Sequence, residues 1–428
     1  MASQTLPSDI IIDILKRLPS KTLIRFKSIS KQWYSLINSP NFINLHLTQT
    51  LISQNSTNLI ISQYSLSSVT ISDENNPNFH LIELDHPLKH FCKADNLSSY
   101  ARGHMPQILG SINGVVCISM NDNSSVVLYN PSTKTHRFIP PFPPSPNPIP
   151  IIDIMLAGSG NVNHAVLGFG FDSVRKDYNV LRIIEKGNLS GSVHRETSVY
   201  SLKNDSWKCV DNLTMMGKFI FQNGMGVVVN ELLHFIVRAA NFITKIVCFD
   251  LRTETFSTFD LPIRHGTHHD DELVCRKQLF MKELGGCFGV LVNYQFGMSG
   301  LYSMVFADLW VMKEYGNKES WFRLFSIHDL STLNVYTYVR PVLYSRDKER
   351  VLLELDGLSF GWYSLDSKKL DRITVHGWLS ANSCFETWTF VDSLVSIGKD
   401  KDKAKPKVVP KKNKNKDDFL SSGFKLRL

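Results

Sequence analysis

The sequence predicts a mainly β chain, built as a small N-terminal helical module followed by a β-propeller of six or seven blades. Three observations predict it. Residues 6 to about 48 carry apolar side chains at helical period. After about residue 55 the pattern turns to short apolar runs, rich in β-branched and aromatic residues and separated by Asn, Asp, Gly, Ser and Pro. Those runs recur loosely, about every fifty residues. That is the length of one four-stranded blade, which cannot bury its faces alone and does so by stacking radially on its neighbours. A β-sandwich of irregular hairpins is the competing arrangement.

The helical module opens with Pro7, which suits a first helical turn because its missing N–H has no partner there. Ile10, Ile14 and Leu18 recur at i, i+4, i+8, with Ile11 and Leu15 alongside, giving a wide apolar stripe. Asp9 and Asp13 lie early and Lys16 and Arg17 late, as the helix dipole favours. Pro19 stops this helix and Ser20 is placed to cap a second, which carries Leu23, Ile24 and Phe26. Ser30 is placed to cap a third, with Trp33, Leu36 and Ile37 on one side, and Pro40 ends it. A last short helix, "NFINLHLTQTL", leads into the body. The stripe is wider than a forty-residue module can bury within itself, so it needs a partner surface.

In the body, the second half of the repeat reads "VVLYNPSTKTHRFIPP", "SVYSLKNDSWKCV", "IVCFDLRTETFSTFDLP", "ADLWVMKEYGNKESWFRLFSI" and "FGWYSLDSKKLDRITV". Each has an aromatic, a polar turn and another large apolar residue. The aromatics Tyr129, Tyr200, Phe249, Trp310 and Tyr363 lie 71, 49, 61 and 53 residues apart. At strand period such residues belong to the sheet core rather than to a binding platform. "LIISQYSLSSVTI", from residue 59, is a degenerate sixth copy. "FKLRL" at the C-terminus alternates Phe424, Leu426 and Leu428 with basic residues, and is expected to dock back on the body as a strand.

The net charge of +8 is carried almost wholly by residues 399–428, where eleven Lys or Arg stand against four Asp. The rest of the chain is close to neutral, which argues against a nucleic-acid groove. No apolar run reaches the length of a membrane span, and no secretory signal or lipidation motif is visible. Seven cysteines, scattered and without CxxC spacing, argue against a disulfide framework and a structural zinc site. The expected location is cytoplasm and nucleus, with "PKKNKNK" (residues 410–416) readable as an import patch or as solvating linker. No active site emerges. "FGMSGL" lacks the GxSxG pattern. "LGFGFD" lacks the third glycine and the following helix of a dinucleotide site. "HGTHHDDE" (residues 265–272) offers metal-ligating side chains but reads as a solvated loop between repeat copies. The chain is therefore assigned no catalytic residues, no cofactor and no metal.

The first segment, "LPSDIIIDILKRLPSKTLIRFKSISKQWYSLINSPNF", closely resembles the F-box of plant proteins: Leu-Pro, an acidic residue, apolar pairs, Arg-Leu-Pro, a basic-apolar helix and Lys-x-Trp. It departs at Ser28-Ile29-Ser30, where many plant relatives have Cys-x-Cys. The phrases "NGVVCIS…LYNPSTKTHRFIPP", "LGFGFDSVRKDYNVLRI" and "VYSLKNDSWKCV" are similar to the kelch-like F-box-associated domain found behind such F-boxes. The ending "RPVLYSRDKERVLLEL…YSLDSKKL" and "KDDFLSSGFKLRL" looks most like the subgroup of the constitutive expresser of pathogenesis-related genes, which restrains plant innate immunity by promoting turnover of NLR immune receptors. An S-locus-type role in pollen recognition, a non-degradative scaffold and a propeller enzyme are the alternatives.

The resemblance implies that Leu6, Pro7, Ile10, Ile14, Leu15, Leu18, Pro19, Leu23, Ile24 and Trp33 bind a Skp-type adaptor, and through it a cullin–RING ubiquitin ligase. The body then holds a protein substrate, with the Pro-rich segment 140–150 and "RHGTHHDDE" as candidate contact loops and the substrate-binding residues unassigned. The expected domains are residues 1–50 (F-box), 51–398 (propeller), 399–418 (Lys-rich disordered linker) and 419–428 (strand-like end).

Overall fold

The computed structural model describes residues 7–398 apart from 54–56, 63–65, 72–74, 76–77, 81, 85–105, 121–125, 144–162, 188–192, 211–218, 223, 240–242, 262–275, 299–300, 329–334, 336 and 378–383. "HGTHHDDE", "FKLRL", the Lys-rich tail, Leu6 and most of the Pro-rich segment lie outside the described residues. Four helices come first: α1 (Ser8–Leu15), α2 (Ser20–Phe26), α3 (Lys31–Asn38) and α4 (Pro40–Ser53). Ser30 caps α3 as expected, its Oγ accepting from the Trp33 N–H at 3.1 Å. Ser20 does not cap α2. It is the first helical residue, Pro19 takes the cap position, and the Ser20 Oγ is buried with no hydrogen-bond partner among the described residues.

Six antiparallel sheets follow, so the propeller has six blades. From the axis outward, blade 1 is Glu386–Phe390, Thr57–Ser62, Leu66–Ile71 and Ile82–Glu83. Blade 2 is Pro106–Ile112, Val115–Met120, Val126–Asn130 and Thr135–Phe138. Blade 3 is Asn163–Asp172, Asp177–Gly187, Val193–Ser201 and Ser206–Val210. Blade 4 has two short inner strands, Phe219–Phe221 and Val227–Val229, then Leu232–Ala239, Thr244–Asp250 and Thr255–Asp260. Blade 5 is Arg276–Leu284, Cys287–Met298, Leu301–Met312 and Trp321–His328. Blade 6 is Val339–Tyr344, Arg350–Leu355, Ser359–Ser364 and Leu370–His376.

The inner strands touch in cyclic order and close the ring. Closure is made twice at the seam between blades 6 and 1. At the inner edge, Glu386–Phe390 from the C-terminal side pairs with Thr57–Ser62. At the outer edge, Asn78–His80 leaves blade 1 and adds a parallel fifth strand to Leu370–His376. The His80 and His376 rings stack there at 4.9 Å.

Each interface between adjacent blades is an apolar core, and each blade sends alternate side chains into the two cores beside it. In blade 2, Val115 and Cys117 enter the core shared with blade 3, while Val116 and Ile118 enter the one shared with blade 1. Burial on both faces is why these strands read as continuous apolar runs rather than as alternation. Tyr129, Tyr200, Phe249 and Tyr363 are all core residues.

The polar half of the repeat is a turn device. Asn130 Oδ1 accepts from the Ser132 and Thr133 N–H groups at 2.9 and 3.3 Å. Asp250 Oδ1 does the same for Arg252 and Thr253 at 2.7 and 3.2 Å. Lys134, Asp205, Glu254 and Lys368 each adopt positive φ at the equivalent place, before the outer strand begins. Gly168 and Gly170 serve packing: a Cβ at either would lie 2.9 Å from Leu233 Cδ2 or 2.1 Å from Leu251 Cδ1 of blade 4. Nearby, the inner strands of blades 3 and 4 bond directly, Leu167 N–H to Gly224 O and Gly226 N–H to Leu167 O, both at 2.8 Å.

His234 of blade 4 is fully buried against blade 5. Its Nδ1 lies 3.2 Å from Val227 O and its Nε2 2.7 Å from the Tyr315 hydroxyl. Nδ1–H donating and Nε2 accepting fits the neutral ring, and burial pulls its pKa down to about 4. The unfolded chain takes up this proton near pH 6.5, whereas the folded one resists until about pH 4. Stability should therefore fall across that interval by up to about 3 kcal/mol. Urea unfolding at pH 7 and pH 4.5 checks this, with a smaller difference expected for His234→Asn.

Candidate functional site

Leu15, Leu23, Ile37 and Phe42 close the core of the helical module, with Leu394 from the far end of the chain as the fifth member. Leu18, Ile24 and Trp33 pack around it, half-buried, Trp33 meeting Phe26 edge-on at 5.3 Å. Pro7 and Pro19 are exposed, and Ile10 and Ile14 remain 46% and 49% exposed, one turn apart on the outer side of α1. The proposed stripe thus divides. Ile10 and Ile14 stay outside with the two prolines, while Leu15 and Leu23 are buried in the module's own core and present no surface to a partner. On the polar side of α1, Asp13 pairs with Lys16 at 2.8 Å and Arg17 at 3.0 Å.

Leu394 belongs to a strap, residues 391–398, that continues the closing strand of blade 1. Asp392 Oδ2 accepts the Ser20 N–H at 2.7 Å and so caps α2 from 372 residues away. Asn130 Nδ2 donates to Ser393 O at 3.1 Å and Val395 O at 2.9 Å, and Ile397 enters the core between blades 2 and 3. Gly114, at φ +80°, lets the strap pass: a Cβ there would sit 2.3 Å from Ser393 Cβ. The helical module and the ring are therefore welded by one short segment. Sequence reasoning missed it, although apolar residues at Phe385, Leu394, Val395 and Ile397 before a charged tail were the available signal.

The strap also fixes which end of the ring faces the helices. It leaves the C-terminal end of an inner strand, where the tight turns 112–115, 130–135 and 172–177 lie. The connections from each outer strand to the next inner strand leave from the opposite end.

At the axis, blades 5, 6 and 1 bring polar side chains together. Arg340 donates to Glu354 Oε2 at 2.8 Å and to Thr387 O at 3.3 Å. The Tyr338 hydroxyl reaches Glu354 Oε1 at 3.5 Å. Lys282 Nζ lies 3.4 Å from Thr389 Oγ1 and 5.6 Å from the centre of the Trp388 ring. Among the described residues no cluster of His, Cys, Asp or Glu is placed to hold a metal ion, and no helix is long and apolar enough to cross a membrane.

A four-helix module whose first helix leaves Ile10 and Ile14 exposed, fixed to a six-bladed ring, has the organisation of an F-box protein with a propeller body. Residues 4–45 match the F-box domain and residues 62–397 match the F-box associated beta propeller domain. The chain belongs to the F-box-associated β-propeller family. It is 31% identical to F-box protein CPR1 of Arabidopsis thaliana, over 99% of this chain and 100% of that one. It is 29% identical to F-box protein At4g22390 of the same plant, over 99% of both chains. It is also 27% identical to F-box/kelch-repeat protein At3g23880, over 82% of this chain and 85% of that one.

Leu394→Ala should destabilise the chain by roughly 2–5 kcal/mol through the cavity it leaves. Asp392→Ala should cost about 1 kcal/mol through the lost cap. Chemical denaturation followed by far-UV circular dichroism checks both, and Asp392→Asn should recover most of the cap.

Proposed function

We propose that this protein is the substrate-recognition subunit of an SCF-type ubiquitin ligase, with the helical module holding a Skp-type adaptor and the propeller holding a target protein. The observation that carries the proposal is the exposure of Ile10 and Ile14 on a module whose own core is already filled. Burying the exposed half of each in a partner contributes roughly 0.7 to 1.5 kcal/mol per side chain, a central share of an interface that the bordering residues complete. Pro7, Pro19, Leu18, Ile24 and Trp33 border that edge, while Leu15 and Leu23 act by shaping it.

The work of the protein in this proposal is proximity. The target is held near the charged conjugating enzyme at high effective concentration, and no side chain of this chain enters the chemistry. The end of the ring opposite the helices is the proposed target face, since the helical module and the strap occupy the other end. We extend the proposal to turnover of NLR immune receptors as a brake on plant defence. Support comes from the phrases near the C-terminus and from the full-length similarity to F-box protein CPR1. Residues 399–418 are proposed to favour a shared cytoplasmic and nuclear location.

Ile14→Asp should weaken adaptor binding at least a hundredfold in calorimetry while leaving the thermal unfolding of the ring unchanged. Adaptor binding at normal strength by that variant would contradict the assignment. In plant cells treated with a proteasome inhibitor, the same variant should lose adaptor and cullin but keep the target.

A further inference from the structure

Helix α4 lies at the surface without a charge: Pro40–Ser53 contains no Asp, Glu, Lys or Arg. Phe42 and His46 are buried against the rest of the helical module. On the outer side, Leu45 and Ile52 stand two turns apart and are 47% and 74% exposed, and Leu51 beside Ile52 is 47% exposed. A surface helix normally turns polar or charged side chains to water, and one that is apolar all round is covered on more than one side. The outer side of α4 therefore lacks a cover. The chain also holds an apolar segment that the fold has not used. Phe424, Leu426 and Leu428 alternate with Lys425 and Arg427, behind Phe419 and Leu420. The last described residue before them is Gly398, at the end of the strap. Leu394, four residues earlier, shares the module core with Phe42 of α4, which places Gly398 within about 14 Å of that core. The twenty residues 399–418 are polar, and a flexible linker of that length spans about 25 Å. A helix of 14 residues is about 21 Å long, so all of α4 is within reach.

We propose that residues 419–428 fold back onto the outer side of α4 and cover Leu45, Leu51 and Ile52. In an extended segment Phe424, Leu426 and Leu428 share one side, and that side meets the helix. Lys425 and Arg427 then point to water, and an uncharged helix asks no acidic partner of them. The ring offers such a segment less. Its apolar faces are buried between blades, and Val174, on the turn after the inner strand of blade 3, is exposed singly. The strand-like end of the chain thus belongs on the helices rather than on a blade. The contact does not rest on the adaptor assignment, because both surfaces belong to this chain.

The test puts the photoreactive residue benzoyl-phenylalanine in place of Phe424 in the full chain, irradiates it with no partner present and maps the cross-links by mass spectrometry. The main cross-links should fall on α4 between Leu45 and Ile52, within one chain. Ile52→Ser should lower their yield at least threefold, and Leu45→Ser should do the same. Both positions are exposed, so neither change disturbs the module core. Removing residues 419–428 should speed amide exchange in the last two turns of α4 several-fold and leave the Val127 amide of blade 2 unchanged. Cross-links that fall on the ring, that join two chains or that do not form would overturn the proposal. So would an unchanged yield in both variants. If the cross-link to α4 is missing and Ile52→Ser weakens binding to the adaptor, the adaptor is the occupant of this face and the proposal fails.

Discussion

The seam between blades 6 and 1 is the constraint on which the rest depends. Every blade is buried on both faces by its neighbours, so the array has no natural end until it closes. An open seam would expose the apolar faces that hold Leu59, Ile61, Val69, Phe79, Val342, Leu352, Phe360 and Phe385. Each such side chain contributes roughly 1.5 to 3 kcal/mol by burial. Domains have a net stability on the order of 5–15 kcal/mol, so a ring left open here could not stay folded. Pairing at both the inner and the outer edge fastens the seam across the width of the blade.

The same closing strand ties the fold to its use. It does not stop at Phe390 but continues as the strap that caps α2, fills the helical core with Leu394 and seats Ile397 in the ring. The proposed receptor, acting by proximity, needs its two binding surfaces at a fixed separation. Here one segment of a few residues belongs to the blade and to the helical module at once. The site itself is spare: Ile10 and Ile14 are left outside because Leu15, Leu23, Ile37, Phe42 and Leu394 already fill the inside.

What could be read in the sequence follows from what local chemistry encodes. The helix breaks at Pro19 and the cap at Ser30 are local, and the structure has them. The repeat is legible because blades 2, 3, 4 and 6 reuse one turn, an oxygen-bearing residue such as Asn130 or Asp250 ahead of a positive-φ residue. The sequence leaves blade number at six or seven because its copies are ragged: the first blade is assembled from residues more than 300 apart, and "ETWTF" carries no turn of its own to announce a strand. Ser20 was expected to cap α2 on the strength of its type. The real cap, Asp392, is a tertiary contact that no window around residue 20 contains. The adaptor stripe divided for the same reason, since helical period places Ile14 and Leu15 near one face and only the third dimension shows which of them is covered.

The measurement that tests the account most directly is native-state amide hydrogen exchange of the full chain across low denaturant concentrations, comparing Ser20 with the strap amides of Ser393 and Val395. If one segment welds helices to ring, these amides open together, with the same free energy and the same denaturant dependence. Exchange of the Ser20 amide through a separate, lower-energy opening while Ser393 and Val395 stay protected would contradict the account, and would leave the helical module a loosely tethered neighbour of the propeller.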